Sequence, residues 1–205
     1  MARPRRQQER RAQLVAATTR AIADRGLAGL RLRHIAEQAE LSVGSVLYYY
    51  PDLDSLLIEV HEQALERFFS DRVRATDTVS DPATKLVVAV SHGVPSDPSD
   101  PALRAIYELH AEASRNPVHA ELLTTLWRRE VSAYERILDD GSSDGTFRLS
   151  GTPRNIAETV VALEDAFDLH LTSGNRALSR TAAVGHIVAY LSLATGCELR
   201  PPSPR

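Results

Sequence analysis

From Gln7 almost to the end of this 205-residue chain, apolar residues return every three or four positions, in blocks separated by proline and glycine. No run alternates strictly between apolar and polar residues with turn formers at both ends. That spacing predicts an all-α fold. A first helix is expected from about Gln7 to Asp24, with Leu14, Ala17, Thr18, Ala21 and Ile22 on one face and Gly26 as its stop. A short second helix over 32–39 turns Ile35, Ala36 and Ala39 inward. Ser42 is a good N-cap for a third, and Pro51 ends it because proline disfavours helical geometry at Tyr50. Asp52 or Asp54 can cap a long fourth helix striped by Leu53, Leu56, Leu57, Val60, Ala64 and Phe68.

Beyond it, helices are expected at about 82–91, 101–114, 117–139, 153–171 and 179–195, four of them opening at or near a proline, which suits a first helical turn. The expected organisation is a head over 1–51, a body over 52–198, and a disordered tail over 199–205 with three prolines.

Charge divides along the same line. The first fifty residues carry nine arginines against Glu9, Asp24, Glu37 and Glu40, an excess of +5, so the formal net charge of -3 leaves -8 on the rest. A basic head on an acidic body fits a polyanion-binding module, although a solvated arginine-rich tail would produce much of the same split. The single Cys197 excludes an internal disulfide and any multi-thiolate metal site, and is what a reducing cytoplasm would show. No apolar run approaches the roughly 20 residues of a membrane span, so no membrane partner is expected.

Two short helices joined by a tight turn, with a helix packed across them, form a unit small enough to enter a DNA major groove. In the third helix, Val46 and Tyr50 can face the head's core with Leu47 beside them, while Ser45, Tyr48 and Tyr49 project outward. Three successive tyrosines are hard to bury together because each hydroxyl needs a partner, and phosphate oxygens would supply one. The alternative is that they plug the junction with the fourth helix. Arg33 adds positive field or is simply solvated; Arg3, Arg5 and Arg6, ahead of the first helix, could lie along phosphates or in a minor groove.

These residues resemble a family. Ala23-Asp24-Arg25-Gly26, the run from Leu32 to Ala39, Leu41-Ser42-Val43-Gly44-Ser45 and Tyr48-Tyr49-Tyr50-Pro51, with Leu56-Leu57 after them, are similar to the N-terminal domain of TetR/AcrR-type transcriptional regulators. The resemblance covers residues 7–65. It implies a homodimer in which the first three helices bind a pseudo-palindromic double-stranded operator and the last two form the dimer interface. A small-molecule effector of unknown identity would enter the body and release the repressor. Carried over by position, Arg31, Arg33, Ser42, Gly44, Ser45, Tyr48 and Tyr49 form the DNA-facing set, and Tyr50 takes the place of a core aromatic. The chain departs from the family at Leu47, at Leu53, where a phosphate-binding lysine is usual, and at Arg31, where a capping Thr or Ser is usual. The run Leu47 to Asp54 resembles a betaine-repressor-like subgroup.

In the body, Ile156, Val160, Leu163, Phe167 and Leu171, with Val184, Ile187, Val188 and Leu191, give two apolar faces that could pair across a twofold axis or form an ordinary internal core. Candidate effector contacts are Tyr107, His110, Trp127, Tyr134, Phe167 and His170, although aromatics at helical spacing are more often core than pocket wall. Glu164, Asp165 and Asp168 could favour a cationic effector or be solvated or dimer-edge charges. Seven scattered histidines without a ligand-spaced cysteine give no metal site. No phosphate loop or nucleophile motif points to an enzyme, and no cofactor is expected. The rivals are a helical carrier or enzyme with a vestigial head, and a DNA binder without an effector.

Overall fold

The computed structural model describes residues 2–201, with side chains from Arg5 to Pro201. Among these the regular structure is entirely helical: α1 (Ala2–Arg25), α2 (Leu32–Gln38), α3 (Val43–Tyr49), α4 (Leu53–Asp77), α5 (Pro82–Gly93), α6 (Pro101–His110), a 3-10 turn (Ala111–Ser114), α7 (Pro117–Ser143), α8 (Pro153–Thr172) and α9 (Arg180–Thr195). The caps explain the boundaries. Ser42 Oγ accepts from Ser45 N at 3.1 Å, Asp81 Oδ2 from Thr84 N at 2.7 Å and Thr152 Oγ1 from Asn155 N at 3.2 Å. Asp52 Oδ1 accepts from Ser55 N at 2.7 Å and opens α4. Prolines fill the first turns of α5, α6 and α8, where no N–H is needed.

α1 starts earlier than the periodicity suggests, so Arg5 and Arg6 are helical rather than part of an arm ahead of the helix. Arg5 Nε and Glu9 Oε1, 3.3 Å apart, make an i,i+4 pair along it. Arg3 lies within α1, but its side chain falls outside the described residues.

The chain divides into two compact units, residues 1–66 with 99–123, and residues 67–98 with 124–205. The expected cut at residue 51 is therefore displaced: α6 and the first half of α4 belong with the head. The core of the first unit shows why, since Leu14, Ile22, Ile35, Val46, Tyr50, Leu56 and Val60 share it with Ala105 and Leu109 of α6. Polar contacts add to this. Leu27 N donates to Glu108 Oε2 at 2.9 Å, and Arg104 Nη1 donates to the Ala23 carbonyl near the end of α1 at 3.2 Å.

The second unit has its own core, built from Leu86, Val90, Val131, Tyr134, Leu138, Phe147, Val160, Val161, Ile187 and Leu191, among others. Leu199, expected in a disordered tail, is buried there, and its N–H donates to Ser192 Oγ at 3.1 Å. Residues 202–205 of that expected tail lie outside the described residues. No helix among the described residues is long and apolar enough to cross a membrane.

Candidate nucleic-acid interface and buried charge network

α3 is seven residues long, and its sidedness follows from where its apolar residues fall. Val46 is buried, Tyr50 closes the helix as a buried C-cap with extended backbone, and Tyr48 stands 69% exposed. Tyr49 is half-buried, with its ring edge-on to Tyr48 at 5.0 Å between centroids. Leu47, expected beside the core, is 43% exposed instead, because a two-turn helix can turn only one narrow face inward and Val46 occupies it. Gly44 and Ser42 are exposed at the N-terminal end of α3, and the Ser42 and Ser45 hydroxyls bond each other at 2.9 Å.

The two arginines of the expected set are both exposed. Arg31 lacks the usual capping oxygen at the start of α2. Its own N–H donates to His34 Nδ1 at 3.2 Å, which satisfies one backbone group, while its guanidinium turns back to donate to the Leu30 carbonyl at 2.7 Å. Arg33 Nε donates to His34 Nε2 at 3.2 Å. Thus Tyr48 and Gly44 lie open to solvent, Ser42, Arg31 and Arg33 are exposed but bonded to neighbours within the head, and Ser45 and Tyr49 are partly buried.

A contact missed in the sequence sits at the other end of α3. Arg11 of α1 pairs with Glu59 of α4, donates from Nη1 to the Tyr49 carbonyl at 3.2 Å, and lies with its guanidinium carbon 4.4 Å from the Tyr50 ring centroid. Burial and the Glu59 carboxylate hold the Tyr50 hydroxyl well above the ordinary phenol range.

The second unit conceals a charged group that periodicity did not reveal. Arg72 of α4 is fully buried between Glu130 of α7 and Glu164 of α8, with Nη2 to Glu130 Oε1 at 3.2 Å and Nη1 to Glu164 Oε2 at 3.0 Å. The Tyr134 hydroxyl donates to Glu164 Oε1 at 2.5 Å. Asp168, one turn along α8, is 3% exposed, and its Oδ1 is buried with no hydrogen-bond partner. Burial raises all three carboxyls, despite the opposing pull of Arg72: Glu130 to about 8, Glu164 to about 7 and Asp168 to about 9. The alternative of solvated or dimer-edge charges is therefore overturned for Glu164 and Asp168, while Asp165 is exposed.

The candidate effector residues divide between the two units. Tyr107 and His110 belong to the first unit, where their rings stack at 6.4 Å and His110 is exposed. His170 is exposed at the end of α8, where its Nδ1 meets Asn175 Nδ2 at 3.3 Å. Phe167 stacks on His186 at 6.0 Å, and Trp127 packs half-buried against the second core. Only Tyr134 joins the charge network.

Seven of the nine expected dimer residues also need correction. Ile156, Val160, Leu171, Val184, Ile187, Val188 and Leu191 are buried within the single chain, so they have no surface to offer a second copy. Leu163 and Phe167 are half-exposed; with Ala162, Ala166, His186, Ala189 and the 81% exposed Leu193 they form the outer faces of α8 and α9.

Two of the scattered histidines meet. His61 and His119 are buried in the first unit with Nδ1 atoms 2.8 Å apart, but no group of three or more ligand residues among the described residues could hold a metal ion.

Residues 14–60 match the model for bacterial regulatory proteins of the tetR family, and residues 70–163 match the C-terminal region of QacR-like proteins. The two stretches together span more than two thirds of the chain. The HTH-type transcriptional regulator BetI of Burkholderia thailandensis is 36% identical over 83 residues, 40% of this chain and 43% of that protein, so the chain matches less than half the length of this curated relative. A TetR transcription regulator from Haloarcula marismortui superposes with a TM-score of 0.84 at 18% identity, covering 92% of this chain and 99% of that one. A transcriptional regulator from Saccharomonospora viridis, in complex with choline, gives 0.83 at 21% identity, covering 90% and 96%. At such identities these structures establish the shared fold.

Proposed function

Because the chain belongs to the tetR family of bacterial regulatory proteins, we propose that it is a cytoplasmic, dimeric transcriptional repressor that leaves its operator when a small organic molecule binds its second unit. The observation that carries the DNA part is α3 itself, a Ser-capped helix of two turns that exposes the Tyr48 ring within a segment of fifty residues bearing nine arginines. A helix of that size fits a major groove, and the tyrosine hydroxyls and Arg33 offer donors to phosphate.

A second copy of the chain would dock on the outer faces of α8 and α9. Small side chains at Ala162, Ala166 and Ala189 permit close approach, and Leu193 gains cover it lacks in the single chain. The dimer would set two recognition helices about one helical turn of DNA apart, roughly 34–36 Å, on a pseudo-palindromic operator.

For the effector, the surplus of buried carboxyls over the single Arg72 supports an organic cation, with the unpartnered Asp168 oxygen as its anchor. The choline bound by the Saccharomonospora viridis regulator is in keeping with that class. Binding would shift the population away from the DNA-competent form. In this reading the chain is a binding protein and not an enzyme.

The test is operator binding by the full chain. Tyr48→Phe together with Tyr49→Phe should weaken it several-fold, at about 1 kcal/mol for each lost hydrogen bond, and affinity should fall steeply with salt. Choline should release the wild-type complex but not the Asp168→Asn complex. Undiminished affinity in the double tyrosine variant would remove the contact assignment.

A further inference from the structure

We propose that Arg11 is a positioning residue: its guanidinium fixes the C-terminal end of the recognition helix to α1 and α4, and it does not bind DNA phosphate. The inference rests on the reading that α3 enters the groove.

The need for such a residue follows from α3. Seven residues make too few internal hydrogen bonds to hold an orientation unaided. The helix ends without a glycine cap, since Tyr50 takes up extended backbone at φ -135 and Pro51 has no N–H to offer the last carbonyls. Three residues, Tyr50, Pro51 and Asp52, then separate α3 from α4.

Arg11 fills that gap from a distance of 38 residues in sequence. Nη1 donates to the carbonyl of Tyr49, the last residue of α3, and so meets the negative end of the helix. Nη2 pairs with Glu59 in the second turn of α4, and the plane of the group covers the Tyr50 ring. The Glu59 carboxylate is itself held, because its other oxygen accepts from Gln63 Nε2 at 3.0 Å. One planar fork thus touches the last turn of α3, the elbow and α4. Two of its five donors are taken by a carbonyl and a carboxylate of its own chain, which ties the guanidinium to the elbow although its side chain stays 45% exposed. A lysine could hold either partner but not all three surfaces.

The experiment uses the full chain, an operator duplex selected from a random pool, and an unrelated duplex of equal length. Arg11→Gln should weaken operator binding on the order of tenfold. Affinity for the unrelated duplex at low salt should be unchanged, as should the slope of log affinity against log salt. Glu59→Gln should act in the same direction, and the double variant should be no weaker than the worse single one. A loss of stability alone would lower both duplex affinities together, which makes their ratio the informative quantity. Should Arg11→Gln fail to fold, Arg11→Lys retains the charge; the proposal expects the operator ratio to fall, and a phosphate role expects it to hold.

A salt slope reduced by about one, with both duplexes weakened alike, would identify a phosphate ligand and overturn the proposal. So would an unchanged operator affinity, or strictly additive effects of the two substitutions. A wild-type chain that retains no duplex from the pool would overturn the DNA reading and this inference with it.

Discussion

The two units bury polar groups of opposite character. In the first, His61 and His119 meet inside a mostly apolar interior, and burial followed by the neighbouring His119 lowers the His61 pKa to about 4, so the pair is neutral near pH 7. In the second, Arg72 cannot shed its charge, and three carboxyls have been drawn in around it. An imidazole tolerates a dry site by giving up a proton; a guanidinium tolerates one only when counter-charges come with it. The unit that carries the recognition helix is thereby electrostatically quiet inside, with its charge on the outside. The other holds carboxyl groups that trade protons near neutrality, which is what a site responsive to a charged visitor requires.

The largest effect expected from breaking this contrast comes from Arg72→Met. It strands Glu130, Glu164 and Asp168 without their cation and should cost about 3–5 kcal/mol in urea unfolding, with part recovered on adding Glu164→Gln. A loss below about 1 kcal/mol, the ordinary cost of a point substitution, would mean that the network does not depend on its arginine.

Next in size is a pH dependence of opposite sign in the two units. His61 is lowered in the folded chain, so the unfolded chain binds the extra proton, and stability falls as pH drops from about 6.5 through about 4, by roughly 3 kcal/mol at most. Asp168 and Glu130 are raised, so the folded chain binds the extra protons, and stability falls as pH rises from about 4 through 8 to 9. Because two raised carboxyls outweigh one lowered imidazole where their ranges overlap, unfolding free energies should fall across the whole range. His61→Leu should steepen that fall below about 6.5 and Asp168→Asn should make it shallower; a His61→Leu chain whose slope is unchanged below about 6.5 would dissolve the distinction.

The smallest effect sharpens the comparison. Ser42→Ala removes the cap of α3 and should cost about 1 kcal/mol. Hydrogen exchange should report it at the Ser45 amide and its neighbours in α3, leaving the amides of α8 and α9 as they were.

What could be read from the sequence follows the same division. The head was legible because its signals are local: Ser42 three residues before the amide it caps, Pro51 directly after Tyr50, and Ile35 with Ala36 and Ala39 on one face of a short helix. Arg11 was counted only as one basic residue among nine, since its partners lie 38 and 48 residues away. Arg72 gave no signal at all. Its partners come from two other helices, and a charged residue in an amphipathic stripe looks like the solvated edge of that stripe. In α8 and α9 the periodicity correctly marked Val160, Ile187 and Leu191 for burial, but a hydrophobic repeat cannot say whether its cover comes from the same chain or another. The aromatic candidates likewise divide in a way periodicity does not show: Tyr134 meets the charge network, whereas Tyr107 and His110 lie in the first unit.

Gly93, the last residue of α5, carries a consequence for how this protein can vary. A methyl group at that position would sit 2.0 Å from Glu164 Oε1 and 2.7 Å from Arg72 Nη2, closer than atoms can approach. Any other amino acid would therefore force Glu164 or Arg72 out of its present position. A position that looks like featureless spacer is a lock on drift: a lineage that lost this glycine would have to rebuild the charged interior before it could keep the change.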